Sequence, residues 1–254
     1  MWLYENKYTL PVAFMLPSDV ESNWLLDSGN PAIVQNDLCN VLGTRDVLVS
    51  NEGVTEGKKF TFTAEENGQY YVYVTNKKVE KVTVSMGEKS QTFDNVDRGY
   101  LLELGYLVRG TDAELRCEDD GNPTLQAEVW RFDTEAFKEF YEKMDQNPVN
   151  LTEWTDTKLA GTIHAGAAGT MYTSIPYDKG WKLTVDGVET ETRQIFDTFL
   201  AADLTEGDHE ITLIYEPQGL KTGVMITGVS LAIFAAAAVI TAVNEKKYKK
   251  KRQK

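Results

Sequence analysis

The sequence predicts a mainly β protein built from two tandem sandwich units with a few short helices, closed by one C-terminal transmembrane α-helix. Three observations predict it. Short segments alternate apolar and polar residues between Gly and Asp turns, as half-buried strands do. Two such regions share one order of strands and turns. The chain then ends in an apolar run with no charged residue between Lys221 and Glu245. Short antiparallel strands at such intervals suit a sandwich of the Ig-like or jelly-roll-like kind.

Residues 1–68 read as an opening segment with short helices. In "GNPAIVQNDLCNVLGT", Asn30 is placed to cap and Pro31 to occupy the first helical position; Val34, Leu38, Val41 and Leu42 share a face, and Gly43 closes the helix. Residues 69–132 form the first sandwich unit. Val82, Val84 and Met86 alternate with polar neighbours, as do Ala113, Leu115 and Cys117, and "YYVYVT", "YLLEL" and "LQAEVWR" supply further strands. A connecting helix falls in 133–150, where Phe137, Phe140, Tyr141 and Met144 keep the helical period before Pro148.

Residues 151–218 form the second unit, with strands at "TMYTSIPY", "GWKLTVDG", "VETETRQIF", "TFLAADL" and "DHEITLIYEP". The stretches from Val79 to Glu118 and from Trp181 to Glu216 both run strand, Gly turn, polar strand, aromatic-Leu strand, Gly turn and alternating strand. They read as two related units.

Residues 220–244 form the transmembrane helix. Its uncharged part, Thr222–Val243, would be about 33 Å long, enough for a hydrocarbon core of about 30 Å. The basic tail, 245–254, carries seven Lys/Arg against one Glu, so the −13 of the whole chain leaves −19 for residues 1–244. A surface of that sign repels phosphate and excludes nucleic acid as a partner. Positive residues stay cytoplasmic, so the expected arrangement is a plasma-membrane protein with a cytoplasmic C-terminus and an extracytoplasmic bulk. The N-terminus has neither the basic nor the apolar part of an export signal. The chain is therefore expected to be the C-terminal piece of a larger protein whose earlier spans deliver the acidic region.

Candidate sites are few. Cys39 and Cys117 fit either a thiol pair or one disulfide, and their spacing suits no metal. His164 and His209 have no nucleophile nearby in sequence, so no catalytic residue is assigned. Glu118, Asp119 and Asp120 lack the alternation of a calcium loop and read as a solvated turn. Tyr172, Tyr177 and Trp181 could serve as flat platforms for a sugar, with Lys179 and Asp186 as polar contacts. Against this, Trp181, Leu183 and Val185 alternate with Lys182 and Thr184, which favours core packing for the Trp, and "DG" at 186–187 favours a hairpin turn. Gly228, Ala232 and Ala236 form a small-residue row that would let another membrane helix approach.

Taken together, "LYENKYTLPVAFM", "NPAIVQNDL", "SIPYDKGWKLTVDGVETE" and a final "G.H.I...Y.P.G" running into an apolar helix resemble the C-terminal portion of bacterial YfhO-type membrane proteins. The resemblance covers nearly the whole chain. It implies a multi-spanning parent of the GT-C glycosyltransferase type, using a lipid-linked sugar donor to modify cell-surface polymers such as teichoic acids. The catalytic acidic residue of such enzymes lies in an early external loop, which this chain does not contain. No cofactor is expected in this segment. Its expected partners are the lipid bilayer, other spans of the parent and a cell-surface glycan or polymer, although an anionic polymer would be repelled unless divalent ions bridge it. The alternative is a membrane-anchored surface glycan-binding or interaction protein.

Overall fold

The computed structural model describes residues 5–252 except Leu25 and Asn122, with side chains described as far as Asn244. Its strands form four antiparallel sheets that pair into two sandwiches. The first places β2 (Leu48–Asn51), β10 (Ala127–Phe132), β5 (Gly68–Val74) and β8 (Leu102–Leu107) over β3 (Val54–Glu56), β4 (Lys59–Thr63), β9 (Asp112–Cys117), β6 (Lys81–Met86) and β7 (Lys89–Asp94), each in that spatial order. The second places β1 (Ala13–Pro17), β13 (Gly169–Pro176), β17 (Phe199–Leu204) and β16 (Arg193–Ile195) over β11 (Asn150–Trp154), β12 (Lys158–Ala165), β18 (Gly207–Tyr215), β14 (Trp181–Val185) and β15 (Val188–Thr190).

The orders β3-β4-β9-β6-β7 and β11-β12-β18-β14-β15 correspond strand for strand, and β10-β5-β8 corresponds to β1-β13-β17. The tandem repeat is therefore present in the pairing itself. One position is filled differently in the two halves. The first unit completes its inner sheet with β10, which directly follows β9; in the second unit the chain leaves β18 for the membrane helix, and β1 takes that place from the other end of the sequence.

The 1–68 segment holds strands beside the short helices that the sequence predicts, and β1 shows why its own strand escapes the pattern. Ala13 and Met15 face the core of the second sandwich while Phe14 and Leu16 face the helices, so "AFMLP" is apolar on both sides and lacks the alternation that marks a half-buried strand. The segment does hold α1 (Val20–Asn23) and α2 (Pro31–Val41), but β2, β3 and β4 also lie within it, and the first sandwich begins at Leu48 rather than at residue 69. The single strand expected at "VETETRQIF" is two: β15 ends at Thr190 in one sheet and β16 begins at Arg193 in the other.

Helix α2 starts as expected, with the Asn30 side chain accepting from Ala32 N at 2.9 Å and Pro31 following. Helix α3 (Thr134–Met144) is capped by Asp133, which accepts from the backbone N–H of Glu135 and Ala136. Together α2 and α3 form a layer between the sandwiches. Ala32, Cys39 and Ala136 pack with Leu48, Trp130 and Phe132 on one side; Leu42 and Met144 pack with Phe14, Leu16 and Ala201 on the other. Buried Asn36 reaches from α2 to the β2 edge, donating to Leu48 O at 2.7 Å and accepting from Leu48 N at 3.0 Å. It thereby supplies the pair of bonds that a neighbouring strand would have made.

Cys39 lies in that helical layer and Cys117 in the core of the first sandwich; both thiols are buried and free, so the disulfide reading is corrected to two separate cysteines. Burial pushes both thiols up from their ordinary pKa. The last helix, α4 (Leu220–Arg252), has a stretch from Leu220 to Asn244 long and apolar enough to cross a membrane, and none of it is buried in the protein. The basic tail's side chains lie outside the described residues.

Candidate functional site

The turn after β13 and the start of α4 meet at one end of the second sandwich. Asp178 Oδ1 accepts from Gly180 N at 2.6 Å, which folds "PYDKGW" back on itself. Gly180 is then bonded to the other side of the junction, its carbonyl accepting from Glu216 N at 2.8 Å. A Cβ on Gly180 would lie 2.7 Å from both Glu216 O and the Tyr215 ring, so the close approach needs glycine. Trp181 packs on Tyr215 with ring centroids 5.0 Å apart. Glu216 accepts from Lys182 at 3.0 Å and from Lys221 at 3.1 Å, bracing the sheet against the first turn of α4. These lysines hold the Glu216 carboxyl below its ordinary pKa, that of Lys182 most strongly.

The opposite end of β14 carries a second fixed point. Asp186 and Gly187 sit at φ 52° and 80°, the left-handed pair of a type I′ hairpin. Asp186 Oδ2 lies 2.7 Å from His209 Nδ1, and Asp186 Oδ1 accepts from Glu210 N at 2.8 Å. The other ring nitrogen, Nε2, lies 2.9 Å from Thr205 O. Both ring nitrogens are engaged, so His209 staples two hairpin ends together. The Asp186 carboxylate raises the His209 pKa first, with help from the Thr205 carbonyl. His164 pairs with Asp208 at 2.7 Å on the exposed side.

The five platform and contact residues are thus not gathered in one place. Tyr177 and Trp181 pack against the second sandwich core, and Lys179 is exposed on the turn between them. Asp186 lies at the far end of β14, five residues from Trp181 or about 16 Å along a strand. Tyr172 faces away from the sandwich core, onto the helical layer. Gly228, Ala232 and Ala236 lie along α4, where a Cβ on Gly228 would meet nothing within 4 Å.

Tyr172 lines an apolar pocket of about 380 Å³ that no single sequence window shows. Its walls come from six segments: Leu10, Pro11, Phe14 and Leu16; Trp24; Leu38 of α2; Phe140 and Met144 of α3; Tyr172 and Ser174 of β13; and Phe196 and Phe199 at the turn into β17. Phe14, Phe196 and Phe199 surround the Tyr172 ring at 5.1, 6.3 and 5.3 Å. Burial raises the Tyr172 pKa. The sequence signal for this pocket is slight: the "FDTF" repeat of aromatics around a turn.

Elsewhere, Asp119 is a structural carboxylate. Its Oδ2 accepts from Glu80 N at 2.7 Å and Lys81 N at 3.1 Å; burial pushes its pKa up, but these donors outweigh it and hold the group low. Among the described residues, no group of three or more His, Cys, Asp or Glu side chains converges as a metal site would.

A family model described as bacterial membrane protein YfhO matches residues 42–227. The chain belongs to that family. A YfhO relative, the uncharacterized protein YfhO of Bacillus subtilis (strain 168), is 27% identical over 191 residues, which make up 74% of this chain and 20% of that protein. The chain thus spans about a fifth of that relative's length. Among solved structures, the vicilin of Corylus avellana (hazelnut) overlaps 63% of this chain and 70% of its own at 11% identity and a TM-score of 0.16. The vicilin of Solanum lycopersicum (tomato) overlaps 64% and 72% at 10% and 0.15. Within the YfhO match, the residues of "PYDKGW" and "G.H.I...Y" are those that build the two junctions above: Asp178, Gly180 and Trp181 against Tyr215, and His209 against Asp186.

Proposed function

We propose that this chain is the extracytoplasmic C-terminal region and last membrane span of a YfhO membrane protein, and that it acts as a non-catalytic accessory to a GT-C-type glycosyltransferase. The parent would use a lipid-linked sugar to modify a cell-surface polymer such as teichoic acid. The two sandwiches would hold the acceptor or support the roof of the site.

The observation that carries this reading is the braced junction at Gly180 and Glu216. A domain that merely needed an anchor could hang from a flexible linker. Here Glu216 accepts from both Lys182 of the sheet and Lys221 of α4, contacts that would favour one orientation of the helix on the sandwich. Such coupling suits a region that must present a surface at a set place above other spans. The binding of both histidines to hairpin carboxylates supports a structural part for them.

The test is to truncate a YfhO parent before the segment corresponding to this chain and to measure sugar transfer to the native polymer and to a short soluble acceptor. Transfer to the polymer is expected to fall while transfer to the short acceptor persists. Full transfer to the polymer by the truncated parent would overturn the accessory reading.

A further inference from the structure

We propose that the aromatic pocket over β13 and β17 takes up the hydrocarbon chain of a bilayer lipid, drawn from the leaflet on which the second sandwich stands. The inference rests on α4 crossing the bilayer and not on the chemistry of the parent.

The second sandwich stands close to the bilayer. Only Glu216–Gly219 separates β18 from the candidate span, and four residues reach at most about 14 Å. A polar headgroup layer is roughly 5–8 Å deep on each side. The end of the sandwich where β18 finishes must therefore stand on or in that layer. The pocket's rim lies at this same end. Phe199 pairs with Pro176, where β13 runs out, and Thr198 O accepts from Tyr177 N at 2.8 Å. Three residues further on, Gly180 is bonded to Glu216. A short run of backbone bonds thus links the rim to the foot of α4.

The chemistry of the wall suits an acyl chain. The pocket is a cleft open to the surface, and an apolar cleft offers water few partners but accepts apolar guests. It is about 380 Å³, in the size range of ligand pockets, and among the described residues Ser174 is the one on its wall that is not apolar or aromatic. A sugar would find too few partners there, whereas a methylene chain needs none.

The backbone at the pocket wall is strained. Phe196 and Asp197 sit at φ 51° and 54° in the Ile195–Thr198 turn, positions that Asn and Gly usually fill. A bulky residue in this region is an outlier that persists only where the surroundings enforce it. The turn sets Phe196 edge-on against Trp24, centroids 4.9 Å apart, at the pocket wall. Trp24 is itself fixed by its indole N–H, which donates to Val34 O at 2.8 Å. The pair forms one wall of the pocket.

The full chain, reconstituted in phosphatidylglycerol vesicles, can test this with lipids brominated either near the carboxyl end or near the terminal methyl of the acyl chain. Subtracting the emission of Trp24→Phe from that of the wild type isolates Trp24. A chain reaching up into the pocket brings its methyl end deepest, so Trp24 should lose more emission to methyl-end bromine than to carboxyl-end bromine. Exposed Trp154, at the same end of the sandwich and isolated through Trp154→Phe, should show the opposite order. In Ser174→Phe, which fills the mouth, the loss at Trp24 should disappear while circular dichroism is unchanged. With α4 resistant to alkaline extraction, an unquenched Trp24, or one quenched in the same order as Trp154, would overturn the pocket alone. Extraction of the chain by alkali would remove the span and this inference with it.

Discussion

His209 and Asp186 show how much one contact can be read from charge and geometry. The pair lies 2.7 Å apart, with the His209 side chain 10% exposed and Asp186 on the open side of the hairpin. The raised His209 pKa means that the bond contributes fully below the ordinary value of 6.5 and is lost as pH rises through the higher folded value. The lowered Asp186 pKa sets the other limit: the contribution is present above the ordinary 3.8 and is lost as pH falls through the folded value beneath it. Both limits describe one contact, strongest in weakly acidic solution. The melting temperature of the wild type should therefore exceed that of Asp186→Asn most at about pH 5.5, and the gap should narrow by about pH 9. A gap that widens with pH would show that His209 is held neutral.

At the scale of elements, β1 matters most because it closes the second sandwich from across the whole sequence. Phe14 is 4% exposed and sits among Leu16, Tyr172 and Met144. Phe14→Ala should cost about 3 kcal/mol, measured as a shift of the unfolding midpoint in detergent, whereas Val54→Ala on the exposed edge strand β3 should cost less than about 0.5 kcal/mol. Equal effects would mean that β1 is not integral to the fold. The same strand shows what the sequence could reveal and what it could not. Strands with one wet face, such as β6 and β9, alternate and were legible, as were the capped start of α2 and the uncharged run of α4. Strand β1, dry on both faces, reads as an undifferentiated apolar run. The platform aromatics illustrate the same limit at the site. Alternation correctly set Trp181 against the sandwich core, but nothing local to Tyr172 said that its outward face would meet Leu38 and Phe140 from helices distant in sequence. A pocket assembled from six segments becomes visible only once the two sandwiches and the helical layer are in place.

For the whole molecule, the deciding quantity is sidedness. Family membership and α4 place the protein in a membrane, and the proposed function needs the sandwiches outside, the side that the lysines following the span would leave them on. The two native thiols are useful here because they are buried at 1% and 6% exposure and will react little with a bulky reagent. A thiol introduced by Val188→Cys, on the β15 edge at 67% exposure, should be modified by a membrane-impermeant maleimide in intact cells. One introduced by Lys250→Cys should be modified only after the membrane is opened. Labelling of the tail in intact cells, with Val188→Cys protected until lysis, would reverse the topology. It would also remove the accessory reading, because an acidic sandwich on the cytoplasmic side could not meet a polymer assembled outside. Protection of both sites would instead require that the sandwich be covered by other parts of the parent. Detergent solubilisation that keeps the parent intact would then leave Val188→Cys unreactive, whereas exposure by the same detergent would locate it across the membrane from the reagent.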